Sequence, residues 1–180
     1  MRAMLDACVL YPTVMREMLV GAAAAGFFEP QWAPRILEEW ARAAARHGGQ
    51  DEVLARGEAA RLNAQFPRAT VRFEENAFAR LWLPDPNDVH VLAAAIAGSS
   101  DVVVTNNSKD FPRGILAEEG LTRIDPDGLL RGGFAADPAG MRAVAVAVQE
   151  KAEALSGAHW PLRKLMKKAR LPRLGKALDV

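Results

Sequence analysis

The chain has a single cysteine, Cys8, among 180 residues, which excludes an internal disulfide framework and any cysteine-rich zinc site. A lone thiol suits a reducing compartment, and cytoplasm is the expected location. No run of about 18 uninterrupted apolar residues occurs, nor a basic segment leading into an apolar stretch with a small-residue cleavage site. The chain is therefore expected neither to span a membrane nor to be exported. An excess of one charge is missing too: 23 Lys and Arg face 22 Asp and Glu, so nothing predicts a protein that coats nucleic acid or membranes non-specifically. Neither G-x-x-x-x-G-K-[ST] nor G-x-G-x-x-G is found, so phosphate-cradling nucleotide loops are unsupported.

What is present is an ordinary globular balance, 50% hydrophobic and 25% charged, sufficient for one domain with an appendage. The charge is segregated along it. From Trp160 to Val180 seven basic residues and one acid give +6, leaving −5 on the preceding 159 residues.

The apolar run at residues 3 to 11, interrupted by Asp6, reads as a strand, and Val14, Met15, Met18, Leu19 and Ala22 follow at helical spacing until Gly26. Pro34 opens a helix with apolar Ile36, Leu37, Trp40, Ala41 and Ala44, stopped by Gly48 and Gly49. Residues 51 to 66 read as a more polar helix, 69 to 73 as a short strand, and a helical piece ends at Leu83 and Pro84. Residues 85 to 98 form the clearest helix, with Pro86 near its start and Gly98 closing it. The β-branched run at 101 to 105 is a strand, the loop NNSKDFP follows, and a helical piece, a strand at 121 to 124 and a turn at DPDG complete the pattern. Strands alternating with helices predict an α/β fold with a mainly parallel sheet, whose ligands bind outside the carboxyl ends of the strands. After Gly132 and Gly133 two helices are expected, one starting at Asp137–Pro138 and one at Pro161 limited by Pro172. Two such helices make no core of their own and should pack on the main domain, a partner or a second copy.

Four acids draw attention: Asp6 at a strand, Glu38 or Glu39 on an early helix, Asp88 in a helix's first turn, and Asp110 in a loop after a strand. Brought together they would repel one another unless cations neutralised them, and oxygen ligands select Mg²⁺ or Mn²⁺ over zinc. Each has a plainer reading. Asp88 also complements its helix dipole, and Asp85, directly before Pro86, reads first as an N-cap. Glu38 and Glu39 flank the apolar stripe almost symmetrically, so periodicity does not choose between them. Asp6 is hardest to dismiss, because a carboxylate within MLDACVL is costly to bury without a partner. His90 reads as a surface or structural histidine with no carboxylate orienter in view, and Cys8 as a small buried hydrophobe.

LDACVLYP at 5–12, ILEEW at 36–40, DPNDVHVLAAAI at 85–96 and VVVTNNSKDFP at 102–112 resemble, in order, the four sequence blocks of PIN-domain ribonucleases. The resemblance spans roughly residues 3 to 130, and more narrowly the chain is similar to VapC-type toxins of bacterial toxin–antitoxin pairs with a helical C-terminal extension. It implies a PIN-like three-layer sandwich with a central mainly parallel sheet, a nuclease domain at residues 1–133 and a helical, basic extension at 134–180. It implies Asp6, Glu39, Asp88 and Asp110 as catalytic residues, with Asp6, Asp88 and Asp110 as metal ligands for Mg²⁺ or Mn²⁺. Glu38 is the neighbour that competes with Glu39, while Thr105 and Asn107 are supporting residues. The implied activity is metal-dependent endoribonuclease cleavage leaving a 5′-phosphate and a 3′-hydroxyl. The expected partners are RNA substrate, a cognate antitoxin protein and a second copy in a homodimer.

An acidic pocket repels RNA, so basic groups are needed nearby, and Arg163, Lys164, Lys167, Lys168, Arg170 and Arg173 are candidates for binding substrate or partner. A solvated face or a dock for acidic groups competes with that role. Two other functions stand against the nuclease: a non-catalytic PIN-like scaffold for RNA or protein, and a haloacid-dehalogenase-like phosphohydrolase. The latter wants a second aspartate two residues after the first, where this chain has Cys8.

Overall fold

In a computed structural model describing residues 1–46 and 48–179, the first apolar run divides at its carboxylate. Val180, the last residue of the expected extension, lies outside the described residues. Strand β1 is Arg2–Leu5 and helix α1 is Ala7–Leu10, rather than one strand over residues 3 to 11. Asp6 donates its N–H to the Val104 carbonyl at 3.1 Å, the last ladder-like bond, while its own carbonyl accepts from Val9 N at 3.1 Å and opens the helical turn. The chain thus leaves the sheet at Asp6, because the sheet offers no further partner there and a turn satisfies the next backbone groups.

Strand β2, Glu29–Gln31, had no composition to announce it. It lies at the sheet edge, where Pro30 removes no needed donor, and Gln31 stays 7% exposed because its amide donates to Gly98 O at 2.9 Å and accepts from Ser100 Oγ at 2.6 Å. With β3 (Val102–Val104) and β4 (Thr122–Ile124) the sheet has four strands in the order β2-β1-β3-β4, all parallel, so the expected α/β class with a mainly parallel sheet holds. The triple valine of β3 is fully covered, as a central parallel strand requires. The strand expected at 69–73 is only a single bridge between Trp32 and Thr70. Beyond it Val71 N pairs with Trp32 O at 2.8 Å and the partner strand has already ended.

Contacts divide the chain into two units, the first comprising Met1–Tyr11 and Glu29–Ile124. Besides the sheet and α1 it holds α3 (Pro34–Ala45), α4 (Gly49–Gln65), α5 (Val89–Ala97) and α6 (Arg113–Glu118). Gly49, expected to stop a helix, begins α4 instead. A short 3-10 turn at Glu75–Phe78 stands where a longer helical piece is expected, and the helix expected from residue 85 begins as a 3-10 turn at Pro86–Asp88 that runs on into α5. Helix α5 packs on β1 and β3 through Val91, Leu92, Ala94 and Ala95, each fully buried.

The second unit comprises Pro12–Phe28 and Asp125–Val180. It contains α2 (Thr13–Ala24), α7 (Pro126–Ala136), α8 (Pro138–Ser156), α9 (Leu162–Lys168) and α10 (Pro172–Ala177). The expected turn at DPDG is the start of α7: Asp125 caps it by accepting from Gly128 N at 2.8 Å, and the helix runs through Gly132 and Gly133. At Gly133 a side chain would meet Met141 Cε at 2.7 Å, so glycine there permits close approach of α8. Pro172 likewise starts a helix rather than only limiting one. Asp127 of α7, 5% exposed, caps that helix by accepting from Arg173 N at 2.8 Å and Leu174 N at 2.9 Å. The C-terminal helices therefore pack with α2 and α7. Among the described residues no helix is long and apolar enough to cross a membrane.

Candidate metal centre

Parallel strands end side by side, so residues just past β1 and β3 must be neighbours. Asp6 follows β1, Thr105 follows β3, and Thr105 Oγ1 donates to Asp6 Oδ2 at 2.7 Å. The Cys8 thiol, brought back by the single turn of α1, donates to the same oxygen at 2.9 Å. Cys8 is therefore a half-buried polar partner rather than the expected hydrophobe, and Asn106 N donates to its sulfur at 3.3 Å. Burial first, then the negative charge of Asp6, pushes its thiol up to about 12, so it stays protonated and able to donate. Asp6 itself is 5% exposed and Thr105 2%, so these donors meet the cost of burying a carboxylate.

The loop after Thr105 turns over the strand ends. Asn107 N donates to Thr105 Oγ1 at 2.9 Å, which fixes the loop's start, and the Asn107 side-chain amide donates to both Asp110 Oδ2 and, at 3.4 Å, Asp88 Oδ2. One amide thus ties the loop acid to the acid that begins α5. Asp85 does what its position beside Pro86 predicts, accepting from Asn87 N at 2.9 Å, and it does more. Ligand oxygens of Asp85, Asp88 and Asp110 lie within 4.8 Å of one another, all three residues half-buried. Asp6 is not part of this trio, yet its charge acts on Asp88. Burial, then Asp6, Asp85 and Asp110, push the Asp88 carboxyl up to about 6, with His90 pulling it back.

Sequence reasoning placed Asp6, Asp88 and Asp110 together and passed over Asp85. Its signal was available: Asp85 and Asp88 are three residues apart, on one face of a tight turn.

The two neighbouring glutamates separate cleanly. Glu38 is bound by Arg56 of α4 at 2.6 Å and by Arg42 at 2.9 Å, hydrogen bonds that hold its carboxyl down at about 2. Glu39 lies 3.2 Å from His90 Nε2 and 3.4 Å from Arg35 Nε. His90 is correspondingly not a surface residue: it is 5% exposed, with Nδ1 2.7 Å from the Asn87 carbonyl and a carboxylate beside Nε2 after all. Arg163, Lys164, Lys167, Lys168, Arg170 and Arg173 are all exposed, on or next to α9 and at the start of α10. Arg163 pairs with Asp179 at 2.7 Å, Lys168 lies 4.4 Å from the Trp160 ring centroid, and Arg173 is held by Asp125 and Asp127.

Half-buried carboxylates converging without a cation repel one another, and this repulsion adds to burial in raising Asp88. The all-oxygen donor set fits a hard divalent ion. Residues 2–109 match the family model described as PIN domain, so the chain belongs to the PIN-domain family. Asp110 lies one residue past that match. PIN domains are generally metal-dependent nucleases, and Asp85, Asp88 and Asp110 form a group that could hold a metal ion. Comparison with curated proteins and with solved structures found no match.

Proposed function

We propose that this chain is a Mg²⁺- or Mn²⁺-dependent endoribonuclease, a VapC-type toxin of a type II toxin–antitoxin pair. The observation that carries the catalytic part is the meeting of Asp85, Asp88 and Asp110 at the carboxyl end of a parallel sheet whose first strand is followed at once by the buried Asp6. Asp88 and Asp110 are the ligands on this reading, with Asp6 alongside and Asp85 available as a further oxygen donor. A bound divalent ion supplies charge stabilisation for a phosphodiester under attack and lowers the pKa of a water.

The chain's own residues do the placing. Asn107 holds Asp88 and Asp110 in register, and Thr105 and Cys8 orient Asp6 by donating to one of its oxygens. Glu39 of α3 serves the site through its 3.2 Å contact with His90 of α5, the helix that Asp88 begins. Lys109 and Arg113, exposed on the loop of Asp110 and at the start of α6, offset repulsion of the RNA backbone near the acids. The exposed basic face of α9 binds RNA or the acidic part of an antitoxin, and the charge segregation along the sequence supports it. A homodimer and a cytoplasmic location complete the proposal; the lone half-buried thiol accords with the latter.

Incubation of purified protein with mixed RNA in Mg²⁺ or Mn²⁺ tests the reading. Cleavage should stop with EDTA and with Asp6→Asn or Asp88→Asn, and cleavage that survives all of these removes the metal-nuclease assignment. The toxin assignment predicts a small upstream reading frame encoding a partner with a DNA-binding N-terminus.

A further inference from the structure

A pocket of about 210 Å³ opens against the turn that presents Asp85 and Asp88, lined by Arg35, Phe73, Phe78, Leu81, Pro86, Val89 and His90 among others. It is smaller than the roughly 300–1,000 Å³ that drug-sized ligands occupy, so it suits one ring system rather than a dinucleotide. Phe78 is fixed edge-on by Phe73, with centroids 5.6 Å apart at 86°, which holds an aromatic wall in place. Leu81 of the pocket is followed by Trp82, 64% exposed, so a second aromatic face lies one residue away.

The polar groups also point to a ligand. His90 uses Nδ1 on the Asn87 carbonyl, and its buried Nε2 has no hydrogen-bond partner among the described residues. Glu39 Oε2 is 3.2 Å away, but off the direction in which the ring nitrogen bonds, so that contact is electrostatic only. A buried ring nitrogen without a hydrogen bond, in an aromatic pocket with an arginine on its wall, matches what a nucleobase offers: two π-faces and a polar edge.

We propose that this pocket holds one unstacked base of single-stranded RNA, with the flanking phosphate carried toward Asp85, Asp88 and Asp110. Pro86 and Val89 of the pocket belong to the same turn and helix start as those acids, so a base seated there leaves its backbone within a nucleotide of the acidic trio. This rests on the nuclease reading and adds to it a base-recognising position.

The test uses a short fluorescein-labelled single-stranded RNA and a series in which one nucleotide at a time is abasic. Binding to the full chain is followed by anisotropy in EDTA at low salt. One abasic position should lose about tenfold in affinity, the scale of a base stacked on an aromatic ring. Phe78→Ala should lose the same on intact RNA and become indifferent to that abasic position, and Phe78→Tyr should restore both. Equal binding of every abasic RNA, a Phe78→Ala protein that still senses the abasic position, or no RNA binding at all would overturn the pocket. Cleavage of the same RNA in Mn²⁺ is scored separately. Cleavage without a position effect removes the pocket and leaves the nuclease, and a position effect without cleavage does the reverse.

Discussion

Removing one negative charge from the acidic trio should stabilise the metal-free protein, although a polar, half-buried residue is being altered. In Asp88→Asn the amide keeps an oxygen for Asn107 and loses the repulsion of Asp6, Asp85 and Asp110. The Asp88 carboxyl is pushed up to about 6 from an ordinary 3.8, because of burial and these neighbours. Taken at face value the shift is about 3 kcal/mol, and solvent screening of a half-exposed group reduces it to about 1 kcal/mol.

The sign follows from which state holds the proton. The folded state has the higher proton affinity, so the penalty is absent below the unfolded value near 4, grows as pH rises, and is complete above about 6. At pH 8 with EDTA, thermal unfolding of Asp88→Asn should lie about 2–4 °C above the wild type, and at pH 4 the two should nearly coincide. Saturating Mn²⁺ should reverse the order, because a ligand at 100 times its dissociation constant adds about 2.7 kcal/mol to a protein that binds it and the variant binds poorly. A variant less stable than wild type by the same amount at both pH values, and equally responsive to Mn²⁺, would show that Asp88 only complements the α5 dipole and would refute the reasoning.

Other consequences follow from the same contacts. Mn²⁺ affinity, titrated calorimetrically, should fall as pH drops through about 6, since the proton on Asp88 competes with the ion; a flat profile would place the ion elsewhere. Thr105→Val leaves the 5%-exposed Asp6 short of its shortest hydrogen bond and should cost about 1–3 kcal/mol in urea unfolding, while Thr105→Ser keeps the hydroxyl and most of the stability. Glu39→Gln should lower RNA cleavage strongly and Glu38→Gln hardly at all, since Glu38 is committed to Arg42 and Arg56. Asp127→Ala uncaps α10 and strands the Arg173 and Leu174 N–H groups, so amide exchange of that helix should accelerate well before global unfolding.

The sheet was legible where its strands carry their own signal. Val102–Val104 is apolar on both faces and could be little else, whereas Glu29–Gln31 has a polar residue, a proline and an amide, and is a strand only because Met1 O and the β1 edge accept it. The helices at 34–45 and 89–97 follow their apolar periodicity, but DPDG and the two glycines after it signal a break that packing against Met141 and Phe27 overrides. At the acidic site, sequence blocks supplied Asp6, Asp88 and Asp110. Asp85 was hidden by a true but incomplete role as a cap, and Cys8 by its side chain's apolar reputation. The sequence shows no difference between Glu38 and Glu39 because their distinguishing partners are remote along the chain, Arg56 of α4 for Glu38 and His90 of α5 for Glu39.

Anomalous diffraction from a crystal of the full chain grown with Mn²⁺ is the most direct measurement of the central claim. The account predicts a peak bound by carboxylate oxygens of Asp88 and Asp110, within reach of Asp6 or Asp85, that vanishes in Asp88→Asn. No peak there at saturating Mn²⁺, or the same peak retained in Asp88→Asn, would contradict it.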